Sequence, residues 1–256
     1  MTNLVVMPNY RKTGPEPLFV TNCKKAWKSW CEQNNCKFLE LNEPIADFES
    51  ITPQMQKMWT LDILLYNNIE FDQVAQVDYD TFPLPHCGDF FSKTNNKFGA
   101  VLDNGFGPSL NRSSKMVQKH WYNDITVNWD NYFNSGFIIY NKIHEPVFKE
   151  IQTFYKEKSS EWCSINKSPN LTDDQTLLNF ELRKQNFDVV LLDRSYNVLD
   201  WHCKNFFANY IDDLGREINA VDNIRDCINI FHITGDENFR NLASTFLIDN
   251  FYTNVR

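Results

Sequence analysis

Two aspartates one residue apart, Asp78 and Asp80, end a short apolar run in the segment FDQVAQVDYDTFPLP, residues 71–85. Carboxylates crowded in this way repel each other unless a cation sits between or beside them. A divalent ion bridging them to a substrate diphosphate would relieve that repulsion and use it. The pair alone says little, because 20 aspartates in 256 residues make one or two Asp-x-Asp matches expected by chance. Three later segments add weight. Asn134-Ser135-Gly136 precedes a hydrophobic run ending at Asn141, Asp174-Gln175 is followed one turn later by Asn179, and His232-Ile-Thr-Gly235 follows an apolar stretch. Singly, each has a plain structural reading: a loop before a strand, a helix cap, a core histidine. Lys57 and Arg11 are basic residues available to meet phosphates, or else solvated charges.

The elements that must position these groups follow from hydrophobic patterning. Val74, Ala75 and Val77 suit a central strand covered on both faces, with Pro83 and Pro85 stopping it. Side chains alternate along a strand, so Asp78 and Asp80 are expected on one side at its C-terminal end. Upstream, Leu4–Met7 and Cys36–Leu41 read as strands. Residues 17–34 place Phe19, Cys23, Trp27, Trp30 and Cys31 at helical spacing, and Pro53 opens a second helix running to Leu65. Strand, helix, strand, helix, strand predicts an α/β fold with a mostly parallel sheet flanked by helices, where ligands bind at the C-terminal ends of strands.

Beyond Pro85 the alternation lapses. Strands are expected at Lys97–Leu102, within Asn131–Asn141, at Asp188–Leu192 and at Ile228–His232. Helices are expected at Glu145–Lys158 and Asp173–Lys184, and loops at Asp103–Lys115 and Asn166–Thr172. No repeat or linker divides the chain, so residues 1–256 read as a single domain, with a nucleotide-binding half over about 1–102 and an acceptor-binding half over about 103–256.

A net charge of −8 and a pI near 5.1 argue against a nucleic-acid or anionic-membrane surface. The seven cysteines form no Cys-x-x-Cys pair, which suggests neither a zinc site nor a disulfide framework. The opening MTNLVVMPNYRK has only a four-residue apolar run and no basic lead, so no signal peptide is expected; with no run near the ~18–20 apolar residues of a transmembrane segment, a cytoplasmic location is expected.

Taken in order, the Asp-x-Asp, Asn-Ser-Gly, Asp-Gln-x-x-x-Asn and His-x-x-Gly segments resemble the GT-A fold (Rossmann-like) nucleotide-sugar glycosyltransferases, most closely the family 8 type. The resemblance covers roughly residues 4–240. It implies transfer of a sugar from a nucleotide-diphosphate donor, a UDP-sugar, to a glycan or other sugar acceptor. Asp78, Asp80 and His232 would bind Mn2+, or Mg2+, with imidazole tilting the choice to Mn2+. Asp78, Tyr79, Asp80, Asn134, Gly136, Arg11 and Lys57 would contact the donor, and Asp174 and Gln175 would meet its sugar near the reacting face. Phe106, Trp121, Tyr122 and Trp201 are aromatic candidates for stacking on the acceptor.

The chain departs from the family pattern after His-x-x-Gly. Many relatives continue with Lys-Pro-Trp, which clasps the diphosphate, whereas this chain reads Asp236-Glu237-Asn238-Phe239-Arg240, leaving Arg240 as the basic substitute. Family 8 membership implies retention of anomeric configuration. An inverting design would need a carboxylate base, for which Asp103, Asp173 or Asp174 could serve. A nucleotidyltransferase, a phosphoesterase and a non-catalytic nucleotide- or glycan-binding scaffold are the rival readings.

Overall fold

The computed structural model describes residues 2–10, 14–103, 108–167, 174–199, 210–211 and 217–252. Its first half runs β1 (Asn3–Pro8), α1 (Leu18–Gln33), β2 (Lys37–Leu41), α2 (Pro53–Gln56), a 3-10 turn at Lys57–Trp59, α3 (Thr60–Tyr66), β3 (Gln73–Val77), β4 (Thr81–Pro83), α4 (Phe91–Thr94) and β5 (Phe98–Leu102). The second half continues α5 (Pro108–Trp121), β6 (Phe133–Tyr140), α6 (Glu145–Asn166), α7 (Asp174–Lys184), β7 (Val189–Leu192), β8 (Val198–Leu199), β9 (Tyr210–Ile211), β10 (Glu217–Ile218), α8 (Ala220–Cys227), β11 (Ile230–His232) and α9 (Glu237–Phe251).

The main sheet has the order β2-β1-β3-β6-β5-β7. β6 pairs antiparallel with both neighbours, and the other pairings are parallel, so one reversed strand lies within a mostly parallel sheet. The expected α/β architecture is therefore present, in a single domain whose sheet takes strands from both sides of residue 102. Its two faces carry separate cores. Val5, Met7, Ala75 and Val77 point to a core with Trp27, Trp30, Phe82 and Phe90. Leu4, Val6 and Val74 point to the other, with Met58, Phe148 and Phe180. Each buried aromatic contributes about 1.5–3 kcal/mol of transfer free energy, so both faces of β1 and β3 are pinned. All five residues of β3 are buried, as the apolar run predicts.

Several boundaries differ from the sequence expectations, each for a physical reason. The strand ends at Val77, before either proline: the chain turns there and resumes as β4, which closes at Pro83, pairs antiparallel with β11 and is joined there by β8. Asp78 and Asp80 accordingly lie in the turn between β3 and β4, past the strand rather than on it. The loop expected at Asp103–Lys115 becomes helix from Pro108, where a missing N–H costs nothing in the first turn. Its polar run of Asn111–Lys115 obscures the helical period, and the burial of Ser114 and Val117 gives away the inner face. The Pro53 helix is broken at Lys57–Trp59. Helix α6 runs past Lys158 to Asn166, and α9, which packs along α1, has no counterpart in the sequence reading. Among the described residues, no helix is long and apolar enough to cross a membrane.

Candidate active site at the sheet edge

The turn after β3 is held on two sides. Asp78 N donates to Gly136 O on β6 at 2.8 Å, and Ile233 N, just past β11, donates to Asp80 O at 2.8 Å. Within the turn, Thr81 N and Oγ1 both donate to Asp78 O, and Trp27 Nε1 donates to Thr81 O at 3.0 Å. Backbone anchoring of this kind fixes where the two carboxylates sit. The antiparallel register sets His232 opposite Thr81. His232 Nε2 then lies 3.3 Å from Asp80 Oδ1 and 3.9 Å from Asp78 Oδ2.

One ligand atom from each of Asp78, Asp80 and His232 falls within 4.8 Å of the other two. Two carboxylate oxygens and an imidazole nitrogen make a donor set that fits Mn2+, and Mg2+ less well. Burial works hardest against the charged form of His232, but Asp80 and Asp78 outweigh it and raise its pKa. Burial likewise opposes ionisation of Asp80, yet His232 and Arg240 hold that carboxyl below its ordinary value.

Lys57 is not a solvated charge. It is buried, with Nζ 2.9 Å from Asp78 Oδ1 and 3.1 Å from Asp174 Oδ2. Burial alone would depress its pKa, but Asp174 and Asp78 reverse the sign and raise it. Asp174, in the first turn of α7, also accepts from Ser135 Oγ at 2.9 Å. Burial raises its pKa despite Lys57. Gln175 accepts from Ser135 N at 3.1 Å and donates through Nε2 to Asp103 Oδ2 at 2.8 Å. Asn134 Nδ2 donates to the same Asp103 oxygen at 3.3 Å. The Asn-Ser-Gly and Asp-Gln segments are thus one hydrogen-bonded unit, docked on the aspartate turn through Lys57.

Gly136 makes its close approach to a side chain. A Cβ built there would overlap His232 Cε1 and lie 2.8 Å from its Nδ1, so the missing side chain is the hollow in which the imidazole sits. Gly235 turns the chain at φ +113° into α9, and Asp236 caps that helix by accepting from Phe239 N at 3.0 Å. The acid found where the family carries a base is therefore a helix cap. Arg240, one turn into α9, places Nη1 3.4 Å from Asp80 Oδ2, with its guanidinium 4.5 Å from the centroid of Phe19. Pro8, Tyr10, Pro53, Gln54, Lys57, Asp78, Tyr79 and Asp80 line an open cleft of about 180 Å³ beside this cluster.

Every candidate from the sequence that falls among the described residues gathers here, except two aromatics. Tyr122 is buried and donates to Glu181, and Trp121 stacks on Trp162 at 5.7 Å, so both belong to the core. Arg11, Phe106, Asp173 and Trp201 lie outside the described residues. Sequence reasoning missed Ser135 as a contact of Asp174. It also missed Asn197, whose Oδ1 lies 3.1 Å from His232 Nδ1 and whose Nδ2 donates to Asn134 Oδ1 at 2.9 Å. A lone asparagine before a two-residue strand gives no signal in sequence.

Comparison with solved structures decides the architecture. A glycosyltransferase involved in glycosylating the major capsid of PBCV-1 superposes with a TM-score of 0.62 at 10% identity, over 96% of this chain and 100% of that one. The galactosyltransferase LgtC, in complex with donor and acceptor sugar analogues, gives 0.52 at 16% identity over 98% and 97%. The fold is the GT-A fold. Mouse xyloside xylosyltransferase 1 gives 0.52 at 12% identity, over 91% of this chain and 97% of that one. No family model and no curated protein matches the sequence. Identities this low establish a shared GT-A architecture and leave the chemistry to be argued from the side chains.

Proposed function

We propose that this protein is a metal-dependent glycosyltransferase that moves a sugar from a nucleotide-diphosphate donor, a UDP-sugar, to a glycan hydroxyl with retention, as in family 8. The observation that carries the reading is the convergence of Asp78, Asp80 and His232 at the C-terminal edge of the sheet, beside an open cleft. The three similar structures named above, each a glycosyltransferase, support the same class. In this reading Asp78, Asp80 and His232 hold Mn2+, which would neutralise the diphosphate leaving group. Tyr79 and Lys57 serve the donor from the cleft side, Arg11 is assigned to the donor from the sequence alone, Arg240 takes up phosphate charge, and Asp174 and Gln175 meet the donor sugar. Asn134 and Gly136 support that pocket from β6.

Retention is supported over inversion by the state of the two candidate bases among the described residues, Asp103 and Asp174. A general base needs an accessible lone pair near the acceptor hydroxyl. Asp174 is buried against Lys57 and Ser135, and Asp103 is buried and accepts from Asn134 and Gln175. Both are thus engaged with other groups, and the third candidate base, Asp173, lies outside the described residues.

The test is breakdown of a panel of UDP- and GDP-sugars to free nucleoside diphosphate, with Mn2+ and with chelator, for wild type and Asp80→Ala. Chelator-sensitive release that is lost in a folded Asp80→Ala protein is expected. Release that survives both would refute a metal-centred site, and no release from any donor would favour the binding-scaffold reading. NMR of the product's anomeric configuration separates retention from inversion.

A further inference from the structure

The proton arrangement of the site can be traced from one backbone group. Gly136 N–H can only donate, and it donates to Asn134 Oδ1 at 2.8 Å. That orients the Asn134 amide, and its Nδ2 accordingly faces the Asp103 carboxylate, an acceptor. Asn134 Oδ1 receives a second proton from Asn197 Nδ2 at 2.9 Å. The Asn197 amide is thereby oriented as well, with Oδ1 turned to His232 Nδ1 at 3.1 Å. An amide oxygen only accepts, so Nδ1 must carry the ring proton. On a neutral ring Nε2 is then the bare nitrogen, and it is Nε2 that faces Asp80 and Asp78.

We propose that Asn197 is a positioning residue that holds His232 in the Nδ1–H tautomer, with the Nε2 lone pair turned toward Asp78 and Asp80. Its value to the protein rests on the reading of that cluster as a divalent-metal site, since a metal takes only the unprotonated nitrogen. The geometry is built for this purpose on two sides. The Gly136 hollow fixes where the ring sits, and Asn197 fixes which nitrogen bears hydrogen. Asn197 is itself immobile: it is 1% exposed, its N donates to Arg194 O at 3.2 Å, and β8 runs from it into parallel register with β11, Leu199 opposite His232. Neutral imidazole in water favours the proton on Nε2, so the opposite tautomer is a state that the fold imposes.

Nitrogen-15 NMR of histidine-labelled, metal-free full-length chain reads the tautomer directly, at a pH where the ring is neutral and with His232→Asn to assign the signal. Wild type should show a protonated Nδ1 and a bare Nε2 at His232. Asn197→Leu should lose that signature and bind Mn2+ about 10–100-fold more weakly by electron paramagnetic resonance. Asn197→Asp, which keeps an acceptor toward Nδ1, should retain the tautomer. An Nε2–H signal in wild type overturns the proposal, whether or not the leucine variant folds. So does an Asn197→Leu protein with unchanged tautomer and Mn2+ affinity. Mn2+ binding by wild type is scored separately: its absence would refute the metal reading, while the wild-type tautomer still decides the role of Asn197.

Discussion

Arg240 approaches Asp80 Oδ2 at 3.4 Å while His232 approaches Oδ1 of the same carboxylate at 3.3 Å. Asp80 thus shares one oxygen's surroundings with its co-ligand His232, while the other oxygen meets a guanidinium that a bound cation would have to out-compete. Arg240→Met should therefore raise Mn2+ affinity in the absence of nucleotide. Charge-assisted hydrogen bonds contribute about 1.5–3 kcal/mol, so the same change should weaken UDP binding to the Mn2+-loaded protein by about tenfold or more. Titration calorimetry of metal and of UDP separates the two effects. A fall in both affinities would mean that Arg240 organises the metal ligands rather than the phosphates.

Proton and metal compete for His232. Its pKa is raised above the ordinary 6.5, so Mn2+ affinity should fall as pH drops through a value higher than 6.5. In metal-free protein the sign is opposite: the charged ring beside Asp80 contributes stability that is fully present below 6.5 and is lost as pH rises through the raised value. His144 behaves in reverse, because burial lowers it to about 4. The unfolded chain takes up that proton first, so His144 destabilises the fold progressively as pH falls from 6.5 toward 4. Thermal melts across pH for His232→Ala and His144→Ala, with and without Mn2+, check all three slopes. A Mn2+ effect equally diminished in both variants would leave His232 as a structural residue.

Gly136→Ala should expel the His232 ring from its hollow. The expected result is at least a tenfold loss of Mn2+ affinity with far-UV circular dichroism unchanged. Gly88→Ala is the control, since a Cβ there meets nothing within 4 Å. Comparable affinities in the two variants would show that the ring relaxes without cost.

Lys57→Met should leave Asp78 and Asp174 without their shared cation and cost about 3 kcal/mol, the scale of a broken buried ion pair. The loss should be greater at pH 8 than at pH 5. Asp174 already has a raised pKa, and without Lys57 it can escape an uncompensated charge by taking a proton. Urea unfolding at the two pH values measures this, and a loss under about 0.5 kcal/mol would class Lys57 with ordinary surface residues.

Much of the fold was legible because local patterning encodes local structure. The apolar run of Val74, Ala75 and Val77 requires cover on both faces, and Trp27, Trp30 and Cys31 share one helix face that the core takes up. The loop reading of residues 103–115 failed from Pro108 onward because a mostly polar helix start has little period to read. The reversed direction of β6, inside an otherwise parallel sheet, follows from pairing partners that no single segment names.

At the site, sequence alone determined the inventory: two crowded aspartates, an Asn-Ser-Gly, an Asp-Gln and a histidine after an apolar run. Tertiary structure decided their relations. The β4–β11 register, joining segments some 150 residues apart, sets His232 beside Asp80. Burial between Asp78 and Asp174 turns Lys57 from a surface charge into an internal tie. Parallel pairing of β8 with β11 brings Asn197 to the imidazole. Residue types and periods are properties of a few neighbours along the chain. Ion pairs, hollows and proton positions depend on long-range register, which exists only once the sheet has formed.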